Sequence, residues 1–296
     1  MEKPSWFRTI FVQASLCFAL YLALNLGQPQ KPIQGNRSGN RGLDLYFISV
    51  RGGFRPLKQQ THLLKLMDKV AKAYNVSFVV NTSELGEDDP LMQNGTVFFS
   101  SLKVPWYTTR TTKGHGVCCF LEQIKLPYGK TLDIVGVDTG SLQDLMLRGS
   151  SSEIEQSQLH WLTRTLEVIS GNWRIVVGFH QLVVCEENNE QMEAKQLYEL
   201  LHHTFVRFGV NAYLSGHDCT KHVRHGNIAY IGRNPASREN EPYLATVSGQ
   251  PALNGELVNG FLLHRVSAIE IATYFISSTG EIVHQILLQH RGKEVM

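Results

Sequence analysis

The stretch WRIVVGFHQLVV, residues 173–184, decides the fold. Its apolar residues predict a buried strand that ends at Gly178, and Phe179 and His180 follow directly. In α/β enzymes, ligands bind beyond the carboxyl ends of such strands. Phe179 can neither bind a metal nor transfer a proton. The stretch is therefore either an active-site strand end or the remains of one.

Strand-like and helix-like segments alternate on both sides of this stretch. The predicted strands lie at residues 43–50, 76–80, 132–139, 173–179 and 211–216, and the predicted helices lie at 61–74, 151–170 and 189–208. This alternation predicts parallel βαβ units. Residues 227–288 resemble strand and hairpin sequences, and they predict a second, partly antiparallel sheet.

The composition is that of a globular protein with an ample core, since 43% of the 296 residues are apolar and 18% are charged. The formal net charge of +2 and the lack of interleaved basic and aromatic residues argue against a nucleic-acid partner.

A targeting segment begins the chain. Lys3 and Arg8 precede an uncharged apolar run at residues 10–26, a pattern typical of secretory targeting. The run is long for a signal peptide and close to the lower limit of a membrane span, roughly 17–25 residues. Residues 1–27 are therefore either a cleaved signal peptide or a signal anchor, and an anchor would leave the C-terminal domain luminal.

The sequence after this segment fits the secretory pathway. Residues 28–42 are a Gly/Pro/Asn/Arg linker, and the folded domain is expected at residues 43–296. We expect a secreted, vacuolar or luminal protein, or a single-pass membrane protein whose C-terminal domain is luminal. Asn-x-Ser/Thr sequons give three candidate glycosylation sites, whereas a fourth, Asn81, lies at a predicted strand end where we expect no glycan. The three candidates are Asn36, Asn75 and Asn94.

Polar and charged side chains follow several predicted strands and are expected to share one rim of the molecule. They are Arg51, Glu84, His180, His217, Asp218 and Cys219. His217 and Cys219, with His222 and His225 after them, also suggest a metal cluster, but their spacing is not a closed zinc pattern.

Motifs at the strand ends occur in the order found in a known family. AYLSGHDCTKH (212–222) resembles Gly-His-x-His, VVGFHQLVV (176–184) resembles Val-x-Gly-His-x-Pro, and VPWYTTRTTKGH (104–115) resembles Pro-Trp-Tyr followed by Gly-Asn-His. LDLYFISVRGGF (43–54) and VSFVVNTSELGEDD (76–89) stand where that family has a strand before Gly-Asp-x-Gly and before Thr-Gly-Asp-x-x-Tyr. The chain thus resembles purple acid phosphatases of the small, tartrate-resistant type, which belong to the calcineurin-like metallophosphoesterase superfamily. The resemblance extends over nearly the whole domain.

This resemblance implies an α/β fold, a four-layer sandwich of two mixed β-sheets packed together and flanked by helices. It also implies a phosphoric monoester hydrolase that works at acidic pH with a dinuclear metal site. Two metals ~3.5–4 Å apart would clamp the phosphate and supply a hydroxide nucleophile.

The residues at the family's ligand positions differ from the family's ligands. Arg51 stands at the first Asp, Glu84 at the bridging Asp, Glu87 at the Tyr, Thr112 and Lys113 at the Asn and His of Gly-Asn-His, Phe179 at a His, and His217 and Cys219 at the two His residues of Gly-His-x-His. A shift of two residues would bring His115 to the position of Lys113. Guanidinium, ammonium and phenyl groups do not ligate metals. The resemblance therefore implies a pseudophosphatase, for which we expect no metal cofactor.

Three functions follow from these substitutions. The first is a binding or regulatory role, in which Arg51, Lys113 and His217 hold a phosphorylated or other anionic ligand, or the domain binds a protein partner. The second is an active phosphoesterase with one divalent metal, zinc or iron, on Glu84, His217 and Cys219, with His115 or His222 as a further ligand. The third is a purely structural interaction domain.

Overall fold

The computed structural model describes residues 44–109, 119–142, 153–180, 182, 191–216, 223–225, 228–232 and 260–289, together with residues 13, 15 and 16. One compact unit runs from Gly42 to Met296. Residues Met1–Arg41 form a separate unit, of which the three described residues are helical. No helix among the described residues is long and apolar enough to cross a membrane.

Twelve strands, four α-helices and three short 3₁₀ helices are defined in the described part of the domain. The strands are β1 (Leu45–Arg51), β2 (Phe78–Thr82), β3 (Trp106–Thr108), β4 (Phe120–Lys125), β5 (Thr131–Gly136), β6 (Trp173–Gly178), β7 (Ala212–Ser215), β8 (Val223–His225), β9 (Ile228–Ile231), β10 (Phe261–Val266), β11 (Glu270–Ile276) and β12 (Ile282–Gln289). The helices are α1 (Leu57–Tyr74), α2 (Pro90–Phe98), α3 (Glu153–Val168) and α4 (Gln191–Arg207).

The strands form two six-stranded mixed sheets. The first has the order β12-β11-β10-β1-β2-β3, and the second has the order β4-β5-β6-β7-β9-β8. In each sheet the central βαβ strands are parallel, as the alternation of segments predicted, and antiparallel strands extend them. The predicted α/β fold class, two mixed sheets flanked by helices, is confirmed.

The described strands of residues 227–288, predicted to form a second, partly antiparallel sheet, divide between the two mixed sheets. β10, β11 and β12 extend the first sheet, because β10 pairs antiparallel with β1 and leaves the N-terminal strands in its centre. β1 has buried apolar residues on both faces, which is typical of a central strand. β9 instead joins the second sheet beside β7. Residues 233–259 of this predicted strand and hairpin region lie outside the described residues.

Three apolar clusters show the layers. One lies between the sheets and contains Phe47, Phe78, Trp173 and Val177 from both. On the outer face of the first sheet, α1 packs with the face defined by the helical spacing of Leu63, Met67 and Val70. On the outer face of the second sheet, α3 and α4 contribute a third cluster, which includes Leu162, Leu166, Leu201 and Phe205. The domain is thus a helix–sheet–sheet–helix sandwich.

An ion-pair cluster secures the start of β1. The Arg265 guanidinium on β10 lies 3.7 Å from the Asp44 carboxylate and also binds Glu270 on β11. Arg265 is opposite Tyr46 in the β1–β10 ladder. The entry of the chain into the sheet is therefore tied to two further strands.

Candidate functional site

The carboxyl ends of the parallel strands from both sheets meet at one rim. In the first sheet, Arg51 at the end of β1 is opposite Thr82 at the end of β2. In the second sheet, Gly178 at the end of β6 is opposite Ser215 at the end of β7. The positions of these strand-end residues are therefore fixed by the pairing of the strands.

Arg51 and Phe179 are in contact across this rim. The guanidinium carbon of Arg51 lies 5.6 Å from the centroid of the Phe179 ring, which is within cation–π distance. Both side chains are half-buried. Since Arg51 ends β1 and Phe179 follows β6, the pair joins the two sheets.

Gly216 makes this close approach possible. A Cβ atom at Gly216 would lie 2.9 Å from Thr82 Oγ1 and 3.2 Å from Phe179 Cδ2. The Gly216 amide donates to the Phe179 carbonyl at 3.0 Å. The glycine before His217 therefore has a packing role as well as a place in the Gly-His-x-His-like motif.

Asp89 organises the loops that follow β1 and β2. It is fully buried and accepts hydrogen bonds from the Gly53 amide at 2.6 Å, from the Leu91 amide at 2.8 Å and from the Ser83 hydroxyl. The bond from Leu91 caps the N-terminus of α2. A Cβ atom at Gly52 would lie only 2.0 Å from Asp89 Oδ2, so the residue after Arg51 must be glycine.

A buried hydroxyl fixes the backbone at Phe179 and His180. Thr139 Oγ1 accepts hydrogen bonds from the Phe179 amide at 3.2 Å and from the His180 amide at 2.9 Å, and it lies 3.0 Å from His180 Nδ1. The Tyr213 hydroxyl donates to the His180 carbonyl at 2.7 Å. Burial raises the pKa of Tyr213, which keeps this hydroxyl protonated.

A small cavity lies behind Arg51, between the sheets. Its lining residues are Ser49, Val50, Arg51, Thr82, Ser215 and Leu262. Ser49 Oγ is 2.7 Å from His264 Nε2, and His264 Nδ1 is 2.9 Å from Thr273 Oγ1. His264 is buried and stacks on Phe47, and burial lowers its pKa to about 3.

Two solved structures illustrate what the chain is similar to. GAP50 of Plasmodium, described as the anchor in the inner membrane complex, matches with a TM-score of 0.63 and 18% identity, over 85% of this chain and 90% of that chain. Purple acid phosphatase PPD1 from yellow lupin matches with a TM-score of 0.48 and 12% identity, over 83% of this chain and 54% of that chain. The chain shares its fold with GAP50. Identities this low show the fold alone. By sequence, neither a protein-family profile nor a curated protein matches.

Two of the described residues at this rim have side chains that cannot ligate a metal. Arg51 and Phe179 occupy two of the strand ends at the rim, and neither can donate an electron pair to a metal. Within the described ranges, no group of three His, Cys, Asp or Glu side chains is arranged to hold a metal ion.

Other site residues of the sequence prediction fall in different places. Glu84 and Glu87 are exposed on the loop after β2. The structure shows no ion pair between Arg51 and Glu84, both of which are described. Several predicted residues lie outside the described ranges, namely Thr112, Lys113, His115, His217, Asp218, Cys219 and His222. For His225, only the backbone is described, in β8.

The sequons differ in accessibility. Asn75 is exposed at the C-cap of α1 with φ 52°, and Asn94 is half-buried on α2. Asn81 is fully buried in β2. Asn36 lies outside the described residues.

The sequence prediction missed the residues that support the rim. These are Ser49, Thr82, Asp89, Thr139, Tyr213, Ser215 and His264. A signal was available for Thr82, because it continues the alternation of Phe78 and Val80 towards the space between the sheets. For Asp89, the signal was Asp before Pro90, since Asp at N-cap and Pro at N1 start a helix.

Proposed function

We propose that this chain is a metallophosphoesterase-fold protein of purple acid phosphatase ancestry that has no catalytic activity and acts by binding. The contact between Arg51 and Phe179 is the observation that carries the proposal. It puts a cation and a phenyl ring at strand ends where two-metal hydrolysis needs oxygen and nitrogen ligands.

Electrostatics support the same conclusion. Arg51 is half-buried at the rim, and its charge would repel a divalent cation placed beside it. In the sequence, Lys113 adds a second positive charge at a ligand position. Without metals the site would lack both the charge clamp for the phosphate and the bound hydroxide.

The partner that we propose is an anionic group, such as a phosphorylated segment of another protein. Arg51, Lys113 and His217 are the candidates to hold it, because guanidinium and ammonium groups form charge-assisted hydrogen bonds with phosphate. GAP50 is described as an anchor at a membrane complex. By analogy, an uncleaved N-terminal segment would hold this chain at a membrane of the secretory pathway, with its domain in the lumen.

Metal analysis of the purified chain, combined with an aryl-phosphate assay at acidic pH, tests this function. We expect less than one tightly held metal per chain, and no turnover approaching about 1 per second, the low end of typical enzymes. Arg51→Asp alone should restore neither metal binding nor hydrolysis, since Lys113 and Phe179 remain.

The alternative is a phosphoesterase with one zinc or iron on Glu84, His217 and Cys219. Glu84 is exposed on the loop that leaves β2, where it could reach a metal at the rim. About one tightly bound metal per chain, lost together with activity in Glu84→Gln and Cys219→Ser, would support this alternative and contradict our proposal.

A further inference from the structure

The end of the domain opposite the rim exposes apolar side chains that the proposed function does not use. Four of them are between 57% and 76% exposed. Two lie at the ends of the helices that lead into β6 and β7, and two lie in the turns between β4 and β5 and between β10 and β11. They are Val168, Val206, Tyr128 and Ile269.

Two hydrogen bonds fasten these turns to the start of β6. Asn172 Oδ1 accepts from the Thr131 amide at 3.2 Å, at the end of the β4–β5 turn. Trp173 Nε1 donates to the Ser267 carbonyl at 2.9 Å, in the β10–β11 turn. Both turns therefore adjoin the same point of the second sheet.

The Arg174 guanidinium fastens the two helix ends at that point. It donates to the Ile169 carbonyl at 2.8 Å, directly after Val168, and to the Phe208 carbonyl, just beyond Val206. The four exposed side chains thus lie on segments that converge on the start of β6. We call this group the basal platform, which consists of Tyr128, Val168, Val206 and Ile269.

The backbone of Tyr128 supports a function for the platform outside the folded core. Its φ of 61° lies in the left-handed region, which Gly or Asn adopts at a lower cost than a bulky residue. The side chain is 76% exposed, so packing within the domain does not offset that cost. Strained residues of this kind concentrate at binding sites.

Cationic side chains outnumber acidic ones on the four segments of the platform. The cations not used to fasten these segments are Lys125, Lys130 and Arg207, and the acidic residues are Glu167, which is exposed, and Glu270, which Arg265 binds. Exposed apolar and aromatic groups with lysine and arginine beside them are typical of a surface that lies on phospholipid headgroups.

The chain enters the domain at this same end. Asp44 leads into β1, and its carboxylate lies 3.7 Å from Arg265, which also binds Glu270. The linker predicted at residues 28–42 would span roughly 20 Å as a random coil, whereas a domain of this size is roughly 45 Å across. If residues 10–26 remain in a membrane, the platform lies within reach of that membrane and the rim lies beyond it.

We propose that the basal platform rests on the headgroup layer of a lipid bilayer, with its four side chains in the interface and the nearby cations on lipid phosphates. Aliphatic side chains gain by leaving water there, and Tyr is enriched at this depth. The inference rests on the part of the proposed function that keeps the N-terminal segment in a membrane. It also sets an orientation, because the rim with Arg51 and Phe179 then faces away from the bilayer towards a soluble partner.

A glycan at Asn75 is compatible with this orientation. Asn75 caps α1, which packs on the outer face of the first sheet. Three of the four platform side chains belong instead to the second sheet and its helices. The glycan would therefore keep the domain tilted towards the platform.

Photo-crosslinking from lipid to protein tests the orientation in the full chain. Residues 1–296 are reconstituted into phosphatidylcholine nanodiscs that contain phosphatidylserine and a lipid with a photoreactive group near its headgroup, and mass spectrometry locates the crosslinked peptides. We expect about tenfold fewer crosslinks at residues 51–57, at the rim, than on the platform, since burial of one or two apolar side chains favours one orientation by that factor. The platform crosslinks should fall in residues 126–130, 167–170, 205–209 and 267–270.

Tyr128→Asn combined with Ile269→Ser should reduce the platform crosslinks by about tenfold, because two apolar side chains no longer leave water. Asn tolerates the left-handed backbone, and both positions are exposed, so the fold should be kept. Phe54→Ser is the matched control, since Phe54 is 83% exposed but follows β1 at the rim. This control should leave the platform crosslinks unchanged.

The cations are tested in the same nanodiscs. Lys125→Gln combined with Lys130→Gln should lower the crosslink yield when phosphatidylserine is present and should have less effect in phosphatidylcholine alone, because lysine is attracted to anionic lipid. Equal yields from parent and variant in both kinds of nanodisc would contradict the contact between these lysines and lipid phosphates.

Three further results would overturn the inference. Crosslinks confined to residues 51–57 would mean that the rim faces the bilayer. A domain without lipid crosslinks, although the N-terminal segment has them, would refute the platform, and chain-to-chain crosslinks through the platform would identify a second copy as its occupant. These results leave the absence of a metal centre untouched, since metal analysis of the same sample tests it separately. A full chain that does not enter nanodiscs would contradict both the membrane anchor of the proposed function and this inference.

Discussion

The guanidinium of Arg51 lies 5.6 Å from the centre of the Phe179 ring, and the two residues end strands of different sheets. A cation and an aromatic ring thus connect the two sheets at the rim, and neither group can ligate a metal.

A double-mutant cycle on Arg51→Met and Phe179→Leu measures this connection. We expect a coupling free energy of about 0.5–2 kcal/mol, since the pair is half-buried and cation–π energies grow with desolvation. Urea unfolding of the parent, both single variants and the double variant gives the value. The same cycle on Arg207, which is exposed at the end of α4, and Phe208, which is half-buried directly after it, should give a smaller coupling. Equal coupling in both cycles would contradict a role for the rim contact in joining the sheets.

Stability should fall on acidification because of His264. Its pKa is about 3 in the folded protein and about 6.5 when unfolded, so the unfolded chain binds the additional proton between these values. Stability is therefore complete above about pH 6.5 and is lost as the pH falls towards 3. Between pH 7 and pH 5 we expect the free energy of unfolding to drop by about 2 kcal/mol from this group.

The pH dependence is checked by urea unfolding of the parent chain and of His264→Gln at several pH values. The variant is expected to be less stable at pH 7, because it loses the fit between Ser49 and Thr273, but its stability should depend less on pH over this range. His203→Gln, an exposed histidine on α4, should keep the parent slope. An unchanged slope in His264→Gln would show that other groups cause the acid sensitivity.

Asp89→Ala should destabilise the fold by about 3–5 kcal/mol. The substitution leaves the Gly53 and Leu91 amides and the Ser83 hydroxyl without their acceptor, and it removes the cap of α2. Chemical unfolding measures the change. Asp88→Ala, at the neighbouring exposed position, should alter stability by less than about 0.5 kcal/mol. A loss below about 1 kcal/mol for Asp89→Ala would contradict the role assigned to this carboxylate.

Glycosylation should discriminate between the sequons by exposure. In a secretory expression host, Asn75 is expected to carry a glycan, because it is exposed at the end of α1. Asn81 should remain unmodified, because it is fully buried between two parallel neighbours of the sheet. Enzymatic deglycosylation converts each modified Asn to Asp, and peptide mass spectrometry then locates it. A modified Asn81 would mean that the glycan is added before β2 is in place.

Much of the sandwich could be predicted from periodicity. Strand predictions at residues 173–179 and 211–216 match β6 and β7 within about one residue. They succeed because a continuous apolar run is a local signal of a buried strand. β4 and α2 were missed. β4 alternates between half-buried and exposed residues at the edge of its sheet, which gives a weak signal, and α2 begins at a capping motif and has a weak apolar face.

The site was less predictable, because its geometry depends on how the sheets pack. The sequence alone shows that Arg51 stands where the family it resembles has an Asp. The contact between Gly216 and Thr82, in contrast, joins residues from different sheets that no local period relates. The position of β10 beside β1 is likewise a long-range pairing.

The ion pairs of Arg265 with Asp44 and Glu270 lie at a point where the sheet should resist mechanical force. Residue 44 leads into β1, which lies in the middle of its sheet with β10 on one side and β2 on the other. A pulling force applied at this point along the strand would load two ladders of hydrogen bonds in shear, because these bonds run across the strand direction. The same force on β12, an edge strand, would meet a single ladder. A pull on the N-terminal end of β1 should therefore meet more resistance than a pull on β12.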